Sequence, residues 1–187
     1  LIPDIHNPRY SYGGGKIISE LLTINYGRKD FKRVTIVRPH NVFGPDMGWE
    51  HVIPQFILRA HDQIKLQGDG PLVFSIQGQG SETRAFIGID DFTQGLMTVI
   101  NKGQHQEIYH IGTEEEISIA GVARKIVTAL GREIQIQAGP LTPGCVTRRC
   151  PDISKIRQLG YNPTLSFDEA LAPAIDWYIK HANERPN

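Results

Sequence analysis

A tyrosine and a lysine four residues apart are the first pair in this sequence whose types and spacing suit chemistry. Tyr12 and Lys16 bracket three glycines, and the apolar residues that follow recur at steps of three and four, which predicts a helix. Residues four apart lie on the same face of a helix. An ammonium group beside a phenol favours the phenolate and lowers the phenol pKa, so this pair suits acid–base catalysis.

The same pair also has a purely structural interpretation. Because the chain contains 6 tyrosines, a Tyr and a Lys four apart can be solvated neighbours on a helix surface. Three consecutive glycines in a helix cost on the order of 1 kcal/mol each relative to Ala. That cost indicates that a ligand or a flat cofactor approaches the backbone closely here.

Composition restricts the classes of function. The 187 residues are 40% hydrophobic and 21% charged, with a formal net charge of zero, which is typical of a globular chain with one sizeable core or of part of a two-lobed protein. No basic run suggests a nucleic-acid partner, and no apolar stretch approaches the length of a membrane-spanning helix. Without an initiator Met or a signal-like segment, the chain is expected to begin inside a longer polypeptide.

The two cysteines predict no metal site. Cys145 and Cys150 lie in a loop rich in Pro, Gly and Arg, and no histidine stands at a matching metal-ligand spacing. We expect reduced, structural thiols in a cytoplasmic protein.

The elements around Tyr12 and Lys16 follow a helix–strand alternation. Gly27 stands where a left-handed cap would end the first helix, and the β-branched run at residues 34–37 is typical of a parallel strand buried on both faces. Pro39 cannot donate to a ladder, so this strand ends there. Ligands of open α/β sheets bind beyond the carboxyl ends of strands, so Asn41 can offer its amide to a ligand or, equally well, to its own turn.

The rest of the chain continues the alternation. Asp90 and Asp91 are expected to cap the helix that follows them, Ser118 to cap another, and Ser166 with Glu169 to form a capping box. Helices are predicted at residues 50–61, 92–100, 118–130 and 166–178, and strands at residues 64–67, 73–77, 107–111 and 134–137.

The order of these motifs resembles the C-terminal half of the NAD-dependent epimerase/dehydratase family, the extended short-chain dehydrogenases/reductases that modify nucleotide sugars. The matching segments are residues 12–16 with Glu20, 38–45 (RPHNVFGP), 83–91 (TRAFIGIDD), 109–112 (YHIG), 148–155 (RRCPDISK), 159–163 (LGYNP) and 177–178. The resemblance implies an α/β fold: the C-terminal part of a Rossmann-type parallel-sheet domain at residues 1–48, and a small α/β substrate-binding lobe at residues 49–187. One or two segments of the second region are expected to return to the Rossmann domain.

The resemblance also implies roles for residues around the cofactor, which would be NAD or NADP. Tyr12 would take the proton of a sugar hydroxyl while hydride passes to the nicotinamide. Lys16 would hold the nicotinamide ribose and lower the Tyr12 pKa. The backbone of Pro39 and His40 would meet the carboxamide side of the nicotinamide.

A nucleotide-diphosphate sugar is the implied substrate. Asn41 would contact its diphosphate, Val52 and Ile53 would cover the nucleotide, and Arg84 would grip the diphosphate or ribose. Arg149 would lie near the same phosphates. On local sequence alone, Arg84 is an anion-binding fork or an ordinary exposed ion pair.

The chain departs from the family in two residues and in length. Gly15 stands where the family usually has Ser, and His110 where it often has Asn. The family's Gly-rich dinucleotide loop lies upstream of Tyr12 and is not in this sequence, so we expect a fragment that is inactive alone. Its parent would be an epimerase or dehydratase that transiently oxidises the sugar.

Other possibilities remain open from the sequence. The alternative is a non-catalytic relative that binds NAD or a nucleotide, and a reductase of non-sugar substrates is a third option. The apolar face of the first helix requires a partner, either the missing N-terminal half or a second copy. A homodimer through this helix is common in the family.

Overall fold

The computed structural model describes residue 6, residues 8–140 and residues 146–186. Cys145 lies outside the described residues, whereas Cys150 is a half-buried free thiol. The α-helices are α1 (Pro8–Gly27), α2 (Val52–Leu66), α3 (Ile89–Lys102), α4 (Ile119–Ala129), α5 (Ser154–Arg157) and α6 (Phe167–Lys180). The strands are β1 (Thr35–Pro39), β2 (Val42–Phe43), β3 (Leu72–Ile76), β4 (Thr83–Ala85), β5 (Ile87–Gly88), β6 (Glu107–Ile111), β7 (Glu116–Ser118), β8 (Ile134–Ala138) and β9 (Arg148–Arg149).

Parallel pairing dominates the strands, as the alternation of helices and strands predicts. Strand β1 pairs with β6, β2 with β5, and β3 with β8, all in parallel. The remaining sheet is mixed, because β4 runs antiparallel to β7 and parallel to β9. Strand β1 ends at Pro39, as its missing N–H requires.

Two hydrophobic clusters form the core. The larger cluster is built mainly from α2, β3, α4 and α6, and the smaller one from α3, β6 and α5. The segments of β2 and β5 contribute side chains to both clusters, because successive side chains of an extended chain point in opposite directions. Val42 and Ile87 therefore pack in the smaller cluster, while Phe43 and Phe86 pack in the larger one.

Helix α1 stands apart from both clusters. Its apolar side chains are 53% to 75% exposed: Tyr12, Ile17, Ile18, Leu21, Leu22 and Tyr26. Gly27 packs against Val34, and the Ile24 carbonyl accepts a hydrogen bond from Gln106. Glu20 adds an ion pair with Arg38. The apolar face that the sequence predicts is therefore present and uncovered in this chain.

Helix caps follow the sequence in two places. Ser118 accepts a hydrogen bond from the Gly121 backbone N–H at the start of α4, and Ser166 and Glu169 form a capping box at the start of α6.

Three local predictions are wrong. Residues 64–67 do not form a strand, because Ile64 lies in α2, which continues to Leu66. Gly27 is not a left-handed cap; a side chain there would meet Val34 at about 3.1 Å, so close packing explains the glycine. Asp90 and Asp91 do not cap α3, which starts at Ile89, three residues earlier than expected, so both lie in its first turn.

Strand β1 is also less buried than a strand covered on both faces. Ile36 is buried and Val37 half-buried, but Arg38 and Pro39 are exposed. The prediction of burial on both faces, made for residues 34–37, is therefore wrong except at Ile36, because the other three side chains of that run are only half-buried.

Candidate functional site

Tyr12 and Lys16 lie together on α1, as their spacing predicts. The Lys16 Nζ atom is 5.2 Å from the centre of the Tyr12 ring, so the ammonium stands over the ring face. Tyr12 is 75% exposed. The pair is thus open to a ligand.

The backbone between these two residues is also open. A side-chain carbon added at Gly13, Gly14 or Gly15 would meet nothing within 4 Å in this chain. The three glycines are therefore not required by internal packing. The expectation that a ligand or partner approaches them stays a prediction.

An ion pair connects α1 to the end of β1. Arg38 Nε and Nη2 donate to the two carboxylate oxygens of Glu20 at 2.7 Å and 2.6 Å. This bidentate geometry favours the charged forms, so the Arg38 guanidinium lowers the pKa of Glu20. Glu20 is one turn beyond Lys16 on α1. The ion pair therefore joins this part of the helix to β1.

Two histidines extend this contact across the sheet. His40 Nε2 and His110 Nδ1 are 2.6 Å apart, and Arg38 Nη1 lies 3.5 Å from His110 Nε2. Since Arg38 can only donate, a neutral His110 carries its proton on Nδ1 and donates to His40. Arg38 thus donates both to Glu20 on α1 and to His110, and the hydrogen-bonded chain ends at His40, just beyond β1.

Burial lowers the pKa of both imidazoles, with smaller contributions from nearby cations. His40 is affected by burial first, then by His110, Arg149 and Arg38. For His110, burial and Arg38 outweigh the opposing carboxylate of Asp152. Neutral imidazoles are therefore favoured at this point.

The histidines line a cavity of about 510 Å³ together with Arg38, Cys150, Asp152 and Lys155. Burial raises the pKa of the Cys150 thiol, so the neutral thiol is favoured. Lys155 forms an ion pair with Glu107. In the described part of the chain, no group of three or more His, Cys, Asp or Glu side chains is arranged to hold a metal ion.

The backbone at Pro39 and His40 has few donors left for a ligand. Pro39 has no N–H, and the His40 N–H donates to the Ile111 carbonyl at 3.0 Å. A carboxamide that meets this segment would therefore have to donate to a carbonyl oxygen.

The Asn41 side chain forms a hydrogen bond to a distant segment of the chain, which neither sequence alternative anticipated. Its side-chain amide donates to the Ala85 carbonyl at 2.8 Å, and the backbone carbonyl of Asn41 accepts from the Ile87 N–H. Its φ of 39° lies in the left-handed region, which Asn tolerates better than most residues. Asn41 thus ties the loop after β1 to the β4–β5 segment.

Val52 and Arg84 share a second cavity, of about 350 Å³, whose wall also includes Glu50, Arg59 and Glu82. Ile53, although next to Val52, is 1% exposed and packs in the larger core cluster. Its side chain cannot touch a ligand in this arrangement, so any role in covering a nucleotide would be indirect.

Arg84 is half-buried, and its guanidinium contacts backbone carbonyls. Its guanidinium donates to the carbonyls of Thr83 and Val146 at 2.7 Å, and to that of Thr147 at 3.4 Å. Arg149 is the register partner of Arg84 in the β4–β9 pair. Arg149 also acts electrostatically on His40, which lines the other cavity.

The sequence alone assigned no role to three side chains that line these cavities: His110, Glu82 and Arg59. The His40–His110 contact depends on the β1–β6 register, which pairs Arg38 with His110 and cannot be read from either segment alone. Glu82 has a sequence signal, because it stands two residues before Arg84 in an extended segment, and residues two apart share a side. Arg59 follows an apolar helical pattern and has no comparable signal.

Comparison with known proteins identifies the family. The family model described as GDP-mannose 4,6 dehydratase matches residues 4–173. The chain belongs to this family. The resemblance seen in the sequence is therefore confirmed.

Two relatives illustrate the range of chemistry in the GDP-mannose 4,6-dehydratase family. The trifunctional UDP-glucose 4,6-dehydratase/UDP-4-keto-6-deoxy-D-glucose 3,5-epimerase/UDP-4-keto-L-rhamnose-reductase of Arabidopsis thaliana is 31% identical over 176 residues, 93% of this chain and 25% of the relative. The UDP-N-acetyl-alpha-D-glucosaminuronate decarboxylase of Bacillus cytotoxicus is 31% identical over 186 residues, 94% of this chain and 55% of the relative.

A solved structure confirms the Rossmann-type α/β fold. A double mutant of DesIV, a dTDP-glucose 4,6-dehydratase from Streptomyces venezuelae crystallised with NAD bound, matches with a TM-score of 0.77 at 30% identity. The match covers 93% of this chain and 52% of the DesIV chain. This family member therefore spans between a quarter and about half of the length of these relatives. No helix in the described ranges is long and apolar enough to cross a membrane.

Proposed function

We propose that the full-length protein is an NAD-dependent nucleotide-sugar epimerase or dehydratase that works through transient oxidation of a sugar hydroxyl. The observation that carries this proposal is the Tyr12–Lys16 pair, exposed on α1 with Nζ 5.2 Å from the ring centre, in a chain of this family. The names of the relatives support a nucleotide-linked sugar as the substrate class.

In this proposal Tyr12 accepts the proton of the sugar hydroxyl and later returns a proton. Lys16, whose Nζ atom lies 5.2 Å from the centre of the Tyr12 ring, holds the nicotinamide ribose. Glu20 and Arg38 hold the helix that carries both residues against β1. NAD, when bound, supplies the hydride acceptor.

The residues present fit such a cofactor. Open space over Gly13, Gly14 and Gly15 leaves room for a flat group beside Tyr12 and Lys16. The carbonyls of Pro39 and His40 are the acceptors that we assign to the carboxamide, because their N–H groups are absent or already bonded. NAD rather than NADP is supported by the DesIV structure.

The 350 Å³ cavity is the proposed site of the nucleotide diphosphate. Val52 lies in its wall at the start of α2, and Arg84 and Arg149 supply positive charge on neighbouring strands. Ile53 supports this wall from the core. Asn41 acts by holding the β4–β5 segment, and hence Arg84, in place.

We further propose that residues 1–48 belong to the cofactor-binding domain and residues 49–187 mainly to the substrate lobe. The partner of α1 would be the rest of that domain or a second copy in a homodimer. These 187 residues alone are expected to show no turnover, because they hold only part of the cofactor cradle that the family uses.

The proposal is tested with the full-length protein, NAD and a panel of nucleotide sugars. Wild type is expected to form a 4-keto sugar or an epimer, and Tyr12→Phe to lose about 100-fold or more of kcat because the proton acceptor is gone. Products are measured by mass spectrometry and NMR.

A matched control lies on the same helix. Tyr26 is also an exposed tyrosine of α1, so Tyr26→Phe is expected to leave kcat unchanged. Full activity of Tyr12→Phe, or turnover by the 187-residue chain alone, would contradict the proposal.

A further inference from the structure

A buried carboxylate in the 350 Å³ cavity has no assigned role. Glu82 is only 8% exposed, yet it lines this cavity. Its Oε2 atom is buried and has no hydrogen-bond partner among the described residues. An unpaired buried carboxylate oxygen is costly, and a donor supplied by a ligand would remove that cost.

The position of this carboxylate is fixed by its backbone. The Glu82 carbonyl accepts from the Ile119 N–H at 3.0 Å, and the next residue, Thr83, donates from its N–H to the Thr147 carbonyl at 2.9 Å. Glu82 is therefore held on both sides rather than lying in a free loop. Its side chain is presented to the cavity by the same segment that presents Arg84.

The spacing to Arg84 indicates which part of a nucleotide Glu82 would meet. Residues two apart in an extended chain are separated by about 7 Å and share a side. In a nucleoside diphosphate, the ribose is bonded directly to the α-phosphate, and the base lies beyond the ribose. With the diphosphate at Arg84, as the proposed function has it, the group within reach of Glu82 is the ribose.

We propose that Glu82 binds the 2′,3′-diol of the substrate ribose, so that the protein selects ribonucleotide sugars over 2′-deoxyribonucleotide sugars. A carboxylate accepts hydrogen bonds only, and a cis-diol offers two adjacent donors that match its two oxygens. A 2′-deoxyribose offers one donor fewer, so the carboxylate loses one of these two hydrogen bonds. This selection rests on the proposed function of the cavity.

The test compares binding of UDP and 2′-deoxy-UDP to the full-length protein by isothermal titration calorimetry. The two probes differ only in the 2′-hydroxyl. Wild type is expected to bind UDP about tenfold or more tightly than 2′-deoxy-UDP, because hydrogen bonds to charged groups are among the stronger ones. Glu82→Gln is expected to reduce that ratio to about threefold or less.

Glu50 provides a matched control. Its carboxylate lines the same cavity but is exposed to solvent, so Glu50→Gln is expected to keep the wild-type ratio. Circular dichroism spectra of both variants check that they fold, and the wild-type comparison needs no variant at all.

Four results would overturn the assignment. Equal affinities of wild type for UDP and 2′-deoxy-UDP, or an unchanged ratio in Glu82→Gln, would show that Glu82 does not bind the diol. A change in Glu82→Gln of the relative affinities for GDP and UDP, with the ribose ratio unchanged, would show that Glu82 contacts the base instead. Failure of wild type to bind any nucleoside diphosphate would reject both this inference and the proposed function.

Discussion

At the scale of single residues, the His40–His110 contact shows how placement controls protonation. Two imidazoles whose ring nitrogens are 2.6 Å apart share one proton and cannot both be charged without repulsion. The charged groups that face them are Glu20 on α1, Arg38 on β1, Arg149 on β9, and Asp152 and Lys155 at the start of α5. Burial is the largest cause that puts the pKa of each histidine below its ordinary value, and the nearby positive charge of Arg38 adds to it.

This arrangement predicts acid sensitivity. Because the folded pKa of each histidine lies below the unfolded value of 6.5, the unfolded chain binds more protons as pH falls below that value. Stability is therefore expected to fall as pH drops from about 7 to about 5, and His110→Asn to make the fall less steep. Denaturant unfolding across this range measures both slopes.

A control histidine separates this effect from the general effect of acid. His51 is exposed at the start of α2 and makes no capping hydrogen bond, so His51→Asn is expected to keep the wild-type slope. Glu20 and Asp152 also lose stabilising interactions in acid, but their lowered pKa values put that loss below pH 4.5 and 3.8. A slope unaffected by His110→Asn would contradict the prediction.

At the scale of elements, a buried aspartate joins α3 to the loop before α6. Asp91 is 1% exposed, and its carboxylate accepts from the Thr164 N–H, the Thr164 hydroxyl and the Leu165 N–H, all at 2.9 Å. These three bonds compensate for burial of the charge. The residue expected to cap a helix instead holds two distant elements together.

Removing this carboxylate is expected to be strongly destabilising. Asp91→Ala leaves three donors without their partner, so we expect a loss of about 3 kcal/mol or more in the free energy of unfolding. The adjacent Asp90 is exposed, and Asp90→Ala is expected to cost less than about 1 kcal/mol. Urea unfolding of the two variants measures the difference, and equal losses would argue against the packing role of Asp91.

At the scale of the whole molecule, α1 leaves a large apolar surface without a cover in this chain. Six of its large side chains are more than half exposed, while soluble monomers rarely expose contiguous patches of such size. We therefore expect this helix to be stabilised by packing against another protein surface.

The 187-residue chain alone is therefore expected to self-associate at micromolar concentrations. The double substitution Ile18→Glu with Leu22→Glu places charges on the exposed helix and is expected to give a monomer. Sedimentation velocity measures both, and Val73→Glu, on an exposed strand position away from α1, serves as the control. Monomeric behaviour of the unchanged chain would contradict this prediction.

The sequence by itself determined those features that depend on neighbours a few residues apart. Four features follow from local geometry: the cap at Ser118, the capping box at Ser166, the end of β1 at Pro39 and the contact between Tyr12 and Lys16. The order of short motifs also identified the family and its α/β fold, because such motifs reflect local backbone requirements.

The tertiary structure alone decided which distant residues meet. His40 and His110 are 70 residues apart in sequence, and Asp91 and Thr164 are 73 apart, so their contacts depend on strand register and packing. The same holds for Ile53, which the helix turns into the core, and for Glu82, which the β4 segment buries in the cavity. The sequence determines the chemistry of each side chain. Which distant side chain it contacts is determined by strand register and by packing in the folded core.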